Sequence, residues 1–188
     1  MTIPNMITIF RLMLLPFFLL SVLLYTPEKE FLRYIAFVLC VIAIVTDLSD
    51  GYIARKFKMS SELGARLDPM ADKLAVNLSL VFLAANSSFE HNIPLWFPPL
   101  VVFRDSVIVV GTYLISKKLA QVKVTPRPLG KITSFCLSIY IGLITLQIAS
   151  LIQIFLILCT TLVVLSLFDY LTIGIKFALS YRRTVYGK

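Results

Sequence analysis

FLRYIAFVLCVIAIVTDLSDGYIAR, residues 31–55, carries no charged side chain between Arg33 and Asp47 and then closes on two aspartates, a glycine and an arginine. About 20 apolar residues cross the hydrocarbon core of a bilayer as a helix, and this segment has that length. Reading outward, similar apolar stretches lie near 5–25, 67–86, 93–116, 132–150 and 154–176, so six spans are expected in all. The breaks between them carry turn or polar signals: Thr26-Pro27-Glu28, Asn86-Ser87-Ser88, Pro126-Arg127-Pro128 and the interval from Gln147 to Gln153.

Composition agrees. Hydrophobic residues make up 59% of the 188 and charged residues 15%, where a soluble domain has roughly half and a quarter; the mean hydropathy is +0.90. A net charge of +8 in a soluble protein would raise nucleic acid as a partner. Here the basic residues follow topology instead. Arg55 to Arg66 holds four of them, Lys117 to Lys131 five and Lys176 to Lys188 four, while the alternate connections hold Lys29 with Arg33, then none, then none. By the positive-inside rule both termini and the two basic loops face the cytoplasm, with no nucleic-acid partner required. The expected fold is therefore all-α, an integral membrane protein of six transmembrane helices forming one domain over residues 1–188. Asn5 and Arg11 precede an apolar stretch without a small-residue cleavage site, which reads as a retained first span. Cys40, Cys136 and Cys159 sit in apolar runs without CxxC spacing and read as packing residues.

Charged residues at membrane depth are costly and by default mark function. Positions 47, 50, 51 and 54 share one helical face, and 64, 68 and 72 share another. Each of two consecutive antiparallel helices therefore offers a pair of carboxylates at its cytoplasmic end, Asp47 with Asp50 and Asp68 with Asp72. Four like charges brought together repel strongly unless a cation sits among them. Oxygen-only ligation suits Mg²⁺ or Mn²⁺ and argues against zinc or copper. Gly51 and Gly64 lie on the same faces, where a missing side chain admits either a ligand or a neighbouring helix. Arg55 reads as a phosphate partner or as a cytoplasmic anchor. A structural ion-pair network of these aspartates with Arg55, Arg66 and Lys73 is the competing reading of the cluster.

The residues Asp47, Asp50, Gly51, Ala54 and Arg55, then eight positions, then Gly64, Asp68 and Asp72 spell D-x-x-D-G-x-x-A-R and G-x-x-x-D-x-x-x-D. This pattern resembles the signature of the CDP-alcohol phosphotransferase family, and the opening IPNMITIFR and the six-span layout extend the likeness over nearly the whole chain. The resemblance implies attack of an acceptor hydroxyl on the β-phosphorus of a CDP-linked lipid, with release of CMP. It assigns Asp47, Asp50, Asp68 and Asp72 to the metal ions, two of them, and makes Asp72 the general base. It places the cytidine end over Gly51 and Ala54, near Asp47 and Gly64, with Arg55 at its phosphate and Asn5 and Thr8 assisting, although Asn5 also reads as an N-cap-like turn residue. Homodimers in the cell membrane, plasma or inner, with the active site facing the cytoplasm, are implied as well.

The acceptor is read from other cytoplasm-facing polar groups. Arg104 stands beside Asp105 in the middle of span four, either as an internal ion pair or as a ligand for an acceptor phosphate; Arg127 and Lys131 are placed to join it, and Lys131 also reads as a snorkelling anchor. Size, LDPMADK and the GKI stretch resemble the phosphatidylglycerophosphate synthases, so the expected reaction joins CDP-diacylglycerol to glycerol 3-phosphate. Asp105, Thr112 and Thr133 depart from that group, which tends to have Glu, a second Arg and a second Lys there. VVFRDSVIVVG and VTPRPLGKITS also resemble the CDP-alcohol type of cardiolipin synthase, whose acceptor is phosphatidylglycerol, and this stands as the alternative. A transporter or channel subunit is a remote third reading, disfavoured because the four aspartates cluster at one level.

Overall fold

The computed structural model describes residues 3–57, 62–118 and 128–186, with the side chains at 3–5, 7–8, 49–57, 62–69, 113–118, 173 and 175–186 outside the description. Among the described residues six α-helices follow one another: α1 Ile3–Leu24, α2 Phe31–Phe57, α3 Glu62–Ala85, α4 Phe97–Lys118, α5 Pro128–Leu146 and α6 Ala149–Tyr186. A single 3₁₀ turn, Pro27–Lys29, links α1 to α2. Each helix packs on two others in the circular order α1, α2, α5, α6, α4, α3, and α3 meets α5 across the middle.

Stretches within α2 (31–48), α5 (128–146) and α6 (149–172) are long and apolar enough to cross a membrane by length and composition, and α1 contributes a shorter apolar stretch, Ile9–Leu24. The side chains show what such helices do with their apolar surface. Val22, Leu80, Phe97, Tyr140, Ile144 and Val163 fill the interior, whereas Phe17, Leu23, Phe103, Ile157 and Phe168 point outward and are more than half exposed. An outer face this apolar fits lipid and not water. Backbone polar groups inside a bilayer must be satisfied within the segment, and the three long apolar stretches meet that requirement as helices.

The fifth and sixth helices differ in extent from the expected 132–150 and 154–176. α5 begins four residues earlier, because Pro128 suits the first helical position, where its missing N–H is no loss. The break before α6 narrows to Gln147 and Ile148. Gln147 is left-handed (φ 58°), its N–H bonds Ile144 O at 3.0 Å, and the Ile148 N–H reaches back to Leu143 O at 3.4 Å, the paired closure that usually employs glycine. α6 has 38 residues, about 57 Å at 1.5 Å per residue, so it runs well past the apolar window that ends at Thr172.

Gln147 stands where glycine is usual because its side chain holds two chain segments together. The amide oxygen accepts the His91 N–H at 2.8 Å and the amide nitrogen donates to Ile144 O at 2.7 Å. His91 is thus half-buried under the α5–α6 turn. Asn86 does the same for α1, donating to Val22 O in its last turn at 2.7 Å and to Tyr25 O just beyond it at 3.2 Å. Gln147→Gly relieves roughly 1–2 kcal/mol of left-handed strain and loses two bonds worth about 1 kcal/mol each. Gln147→Ala loses the bonds and keeps the strain. The alanine variant is therefore expected to unfold at the lower temperature of the two in detergent, and the reverse order would discount the left-handed strain at this position.

Candidate active site

Residues of α1, α2 and α3 build the site. All of 47–55 lies on α2 and all of 64–72 on α3, so the helical spacing read from the sequence holds in the backbone. The side chains of Asp50, Gly51, Ala54, Arg55, Gly64 and Asp68, and of Asn5 and Thr8 on α1, lie outside the described residues, as does the whole of Arg127. Asp47 and Asp72 are described, and they converge. One nitrogen of Arg11, Nη1, lies 3.0 Å from Asp47 Oδ1 and also bonds Asp72 Oδ1. A single cationic atom therefore draws together carboxylates from two helices. The Arg11 side chain is 10% exposed, against 54% for Asp47 and 37% for Asp72, so the cation is supplied from the packed side and the carboxylates open outward.

Arg11 was not among the expected site residues. The available signal was a guanidinium within an otherwise apolar 22-residue helix, an arrangement that needs an anion nearby; what the sequence did not tell was which anion.

One residue beyond Asp72 a second polar layer begins. Lys73 Nζ stands 3.2 Å from Asp105 Oδ1, Arg104 Nη1 donates to the same oxygen at 2.7 Å, and Asn77 Nδ2 donates to Oδ2 at 3.1 Å. The remaining face of the Arg104 guanidinium bonds Ser166 Oγ through Nε at 3.2 Å and Nη2 at 2.7 Å. Arg104 is 1% exposed and Asp105 5%, so α3, α4 and α6 are joined by a buried network with two cations and one carboxylate. Lys73 thus pairs with Asp105 rather than with Asp47 or Asp72, and Asn77 and Ser166 join a cluster in which only the charged members drew notice in the sequence.

Gly130 at the start of α5 lies over this layer: a Cβ there would meet the Tyr170 hydroxyl at 3.3 Å and Arg104 Nη2 at 3.7 Å. Lys131, the next residue, is exposed. Thr112 turns its hydroxyl back on its own helix, to Ile108 O at 2.8 Å. Thr133 is fully buried and bonds Leu129 O at 2.7 Å; a lysine there would have to find room for its ammonium in the α5–α6 packing. Cys40, Cys136 and Cys159 are free thiols, two of them buried.

Comparison with known proteins bears on the same residues. The chain is similar to the CDP-diacylglycerol–glycerol-3-phosphate 3-phosphatidyltransferase of Haemophilus influenzae, with 36% identity over 107 residues, 57% of this chain and 55% of the relative. The protein of that name from Pseudomonas fluorescens is 40% identical over 110 residues, 58% of this chain and 53% of its own. The probable phosphatidylglycerophosphate synthase of Mycobacterium tuberculosis is 29% identical over 148 residues, 78% and 67% of the two chains. The chain thus spans little more than half the length of the first two relatives. The profile of one family covers residues 1–170, from the helix that carries Arg11 through both aspartate pairs to Tyr170 beside Gly130, and with it this chain belongs to the CDP-alcohol phosphatidyltransferase family.

Proposed function

We propose that this chain transfers the phosphatidyl group of CDP-diacylglycerol to the hydroxyl of glycerol 3-phosphate and releases CMP. The observation that carries the reading is the meeting of Asp47 and Asp72 at one cationic point. Like charges from two helices are held there with their oxygens turned to a common centre, the arrangement a polyanionic diphosphate needs when it is neutralised by cations. The printed names of the Haemophilus and Pseudomonas relatives support glycerol 3-phosphate as acceptor.

The family is in general divalent-metal dependent, and the residues here fit such an ion: the donors are all carboxylate oxygens, and two of them already share a point occupied by positive charge. Asp47, Asp50, Asp68 and Asp72 would hold Mg²⁺ or Mn²⁺, two ions in the full set, which when bound supply Lewis-acid neutralisation of the diphosphate and of the departing CMP. Asp72 takes the proton of the acceptor hydroxyl as its oxygen bonds the β-phosphorus and the bond from that phosphorus to the CMP oxygen breaks. Arg55 pairs with a phosphate of the nucleotide. Gly51, Ala54 and Gly64 leave room for the cytidine end, with Asn5 and Thr8 alongside. Arg104, Arg127 and Lys131 receive the acceptor phosphate, supported by the surplus of one positive charge among Lys73, Arg104 and Asp105. In this reading the six helices all span the cell membrane, both termini and the active site face the cytoplasm, and the enzyme works as a homodimer.

The cardiolipin synthase alternative, with phosphatidylglycerol as acceptor, draws on the hydroxyls of Thr112 and Thr133, which are turned to backbone carbonyls and add no cation to the acceptor side. The test is CMP release by purified protein given CDP-diacylglycerol and metal, with glycerol 3-phosphate, phosphatidylglycerol or inositol phosphate as acceptor. Release with glycerol 3-phosphate is expected. Release with phosphatidylglycerol alone would replace the proposal with its alternative.

A further inference from the structure

We propose that Arg11 is a resident counter-charge that competes with the divalent cation for Asp47 and Asp72, so that metal enters only by displacing its guanidinium. The inference rests on the metal reading above and adds a role for a residue outside the aspartate signature. Arg11 Nη1 uses the Oδ1 atoms of both carboxylates, the oxygens that would otherwise be turned to an ion. A carboxylate oxygen bonded to a guanidinium nitrogen offers a metal less electron density, and the two cations repel across so short a gap. With its side chain 10% exposed, the guanidinium has little access to bulk water, so its release from the carboxylates carries a desolvation cost that metal binding must overcome. In return, Arg11 keeps the two helices together when no metal is bound, because Asp47 and Asp72 without it would repel. Arg11 is therefore a positioning residue that sets the metal concentration at which the site fills.

Mn²⁺ binding to detergent-purified protein, followed by electron paramagnetic resonance of the free ion, reads this without turnover. Arg11→Met and Arg11→Gln are expected to lower the Mn²⁺ midpoint by about tenfold or more, whereas Arg11→Lys, which keeps the charge, stays near the parent. Should Arg11→Met unfold without metal, purification in Mn²⁺ followed by chelator titration makes the same comparison, and the variant must hold its Mn²⁺ against more chelator than the parent does. Equal midpoints, or weaker binding by the uncharged variants, overturn the proposal and leave the metal site standing. Absence of Mn²⁺ binding by the parent protein overturns the metal reading and this inference with it.

Discussion

Asp72→Asn is expected to reduce CMP release by about a thousandfold or more, while the protein stays folded and inserted. A positioned general base contributes roughly 10²–10⁴ in rate, and the same substitution would weaken a ligand of the proposed metal set, so the two losses would act together. The size and shape of the side chain are kept, and its amide oxygen can still accept from Arg11. The stability consequence has the opposite sign from the usual loss of an ion pair. Asp47, Asp72 and Arg11 together carry one net negative charge, and Asp72→Asn brings that trio to neutrality. The metal-free variant should therefore unfold no earlier than the parent, even as activity disappears. Turnover within about tenfold of the parent would remove Asp72 from the role of base, and early unfolding of the metal-free variant would show that the carboxylate serves mainly to hold α3 against α1.

The second large effect is on stability. Asp105 is, among the described residues, the carboxylate that both Lys73 and Arg104 reach, and Asn77 donates to it as well. Removing one partner of a buried charge pair costs about 3–5 kcal/mol, because the other charge is left without compensation. Here two cations would be left. Asp105→Ala is accordingly expected to lower the unfolding temperature by roughly 6–20 °C, at about 2–4 °C per kcal/mol for a chain of this size. Ser166→Ala deprives Arg104 of one acceptor shared by two N–H groups and should cost less, roughly 1–3 kcal/mol. Asp105→Glu keeps the charge and adds a methylene to a packed site, a change of about 1–3 kcal/mol. Thermal unfolding of the three variants in one detergent gives the order directly. If Asp105→Ala melts with the parent, the buried layer is not what joins α3, α4 and α6.

The two effects meet at neighbouring residues of α3, Asp72 itself and Lys73, the partner of Asp105 on α4. Asp72 turns toward Arg11 on α1, and Lys73 toward α4. A helix advances by about 100° per residue, so consecutive side chains serve different neighbours. This is how α3 joins the aspartate site to the layer proposed for the acceptor, and why Asp72→Asn should act on chemistry while Asp105→Ala acts on the packing beneath it.

Much of this was present in the sequence. Six helices could be read from apolar length and turn residues, and the aspartates took their faces from spacing alone, because span length and helical periodicity are properties of contiguous residues. The shifts at Pro128 and Gln147 were harder to read. They depend on how one turn closes, and at Gln147 on a loop 56 positions away in the chain. The roles of cations were harder still. Arg11 looked like part of the first span's polar entrance, Lys73 like a partner for the signature aspartates, and Arg104 like either a ligand or half of an ion pair. Each ambiguity concerned which of several carboxylates or hydroxyls a long flexible side chain would meet.

By itself the sequence determined an all-helical, strongly apolar chain with four aspartates at helical spacing, and so the family and the kind of chemistry to look for. Only the tertiary structure decided that Arg11 joins Asp47 to Asp72 and that Asp105 gathers Lys73, Arg104 and Asn77. The physical reason is that spacing specifies which face of a helix a charge occupies, whereas its partner depends on which helix packs against that face. In this bundle α1 lies beside α2 and α3, and α4 beside α3 and α6, an order that no local pattern of residues encodes.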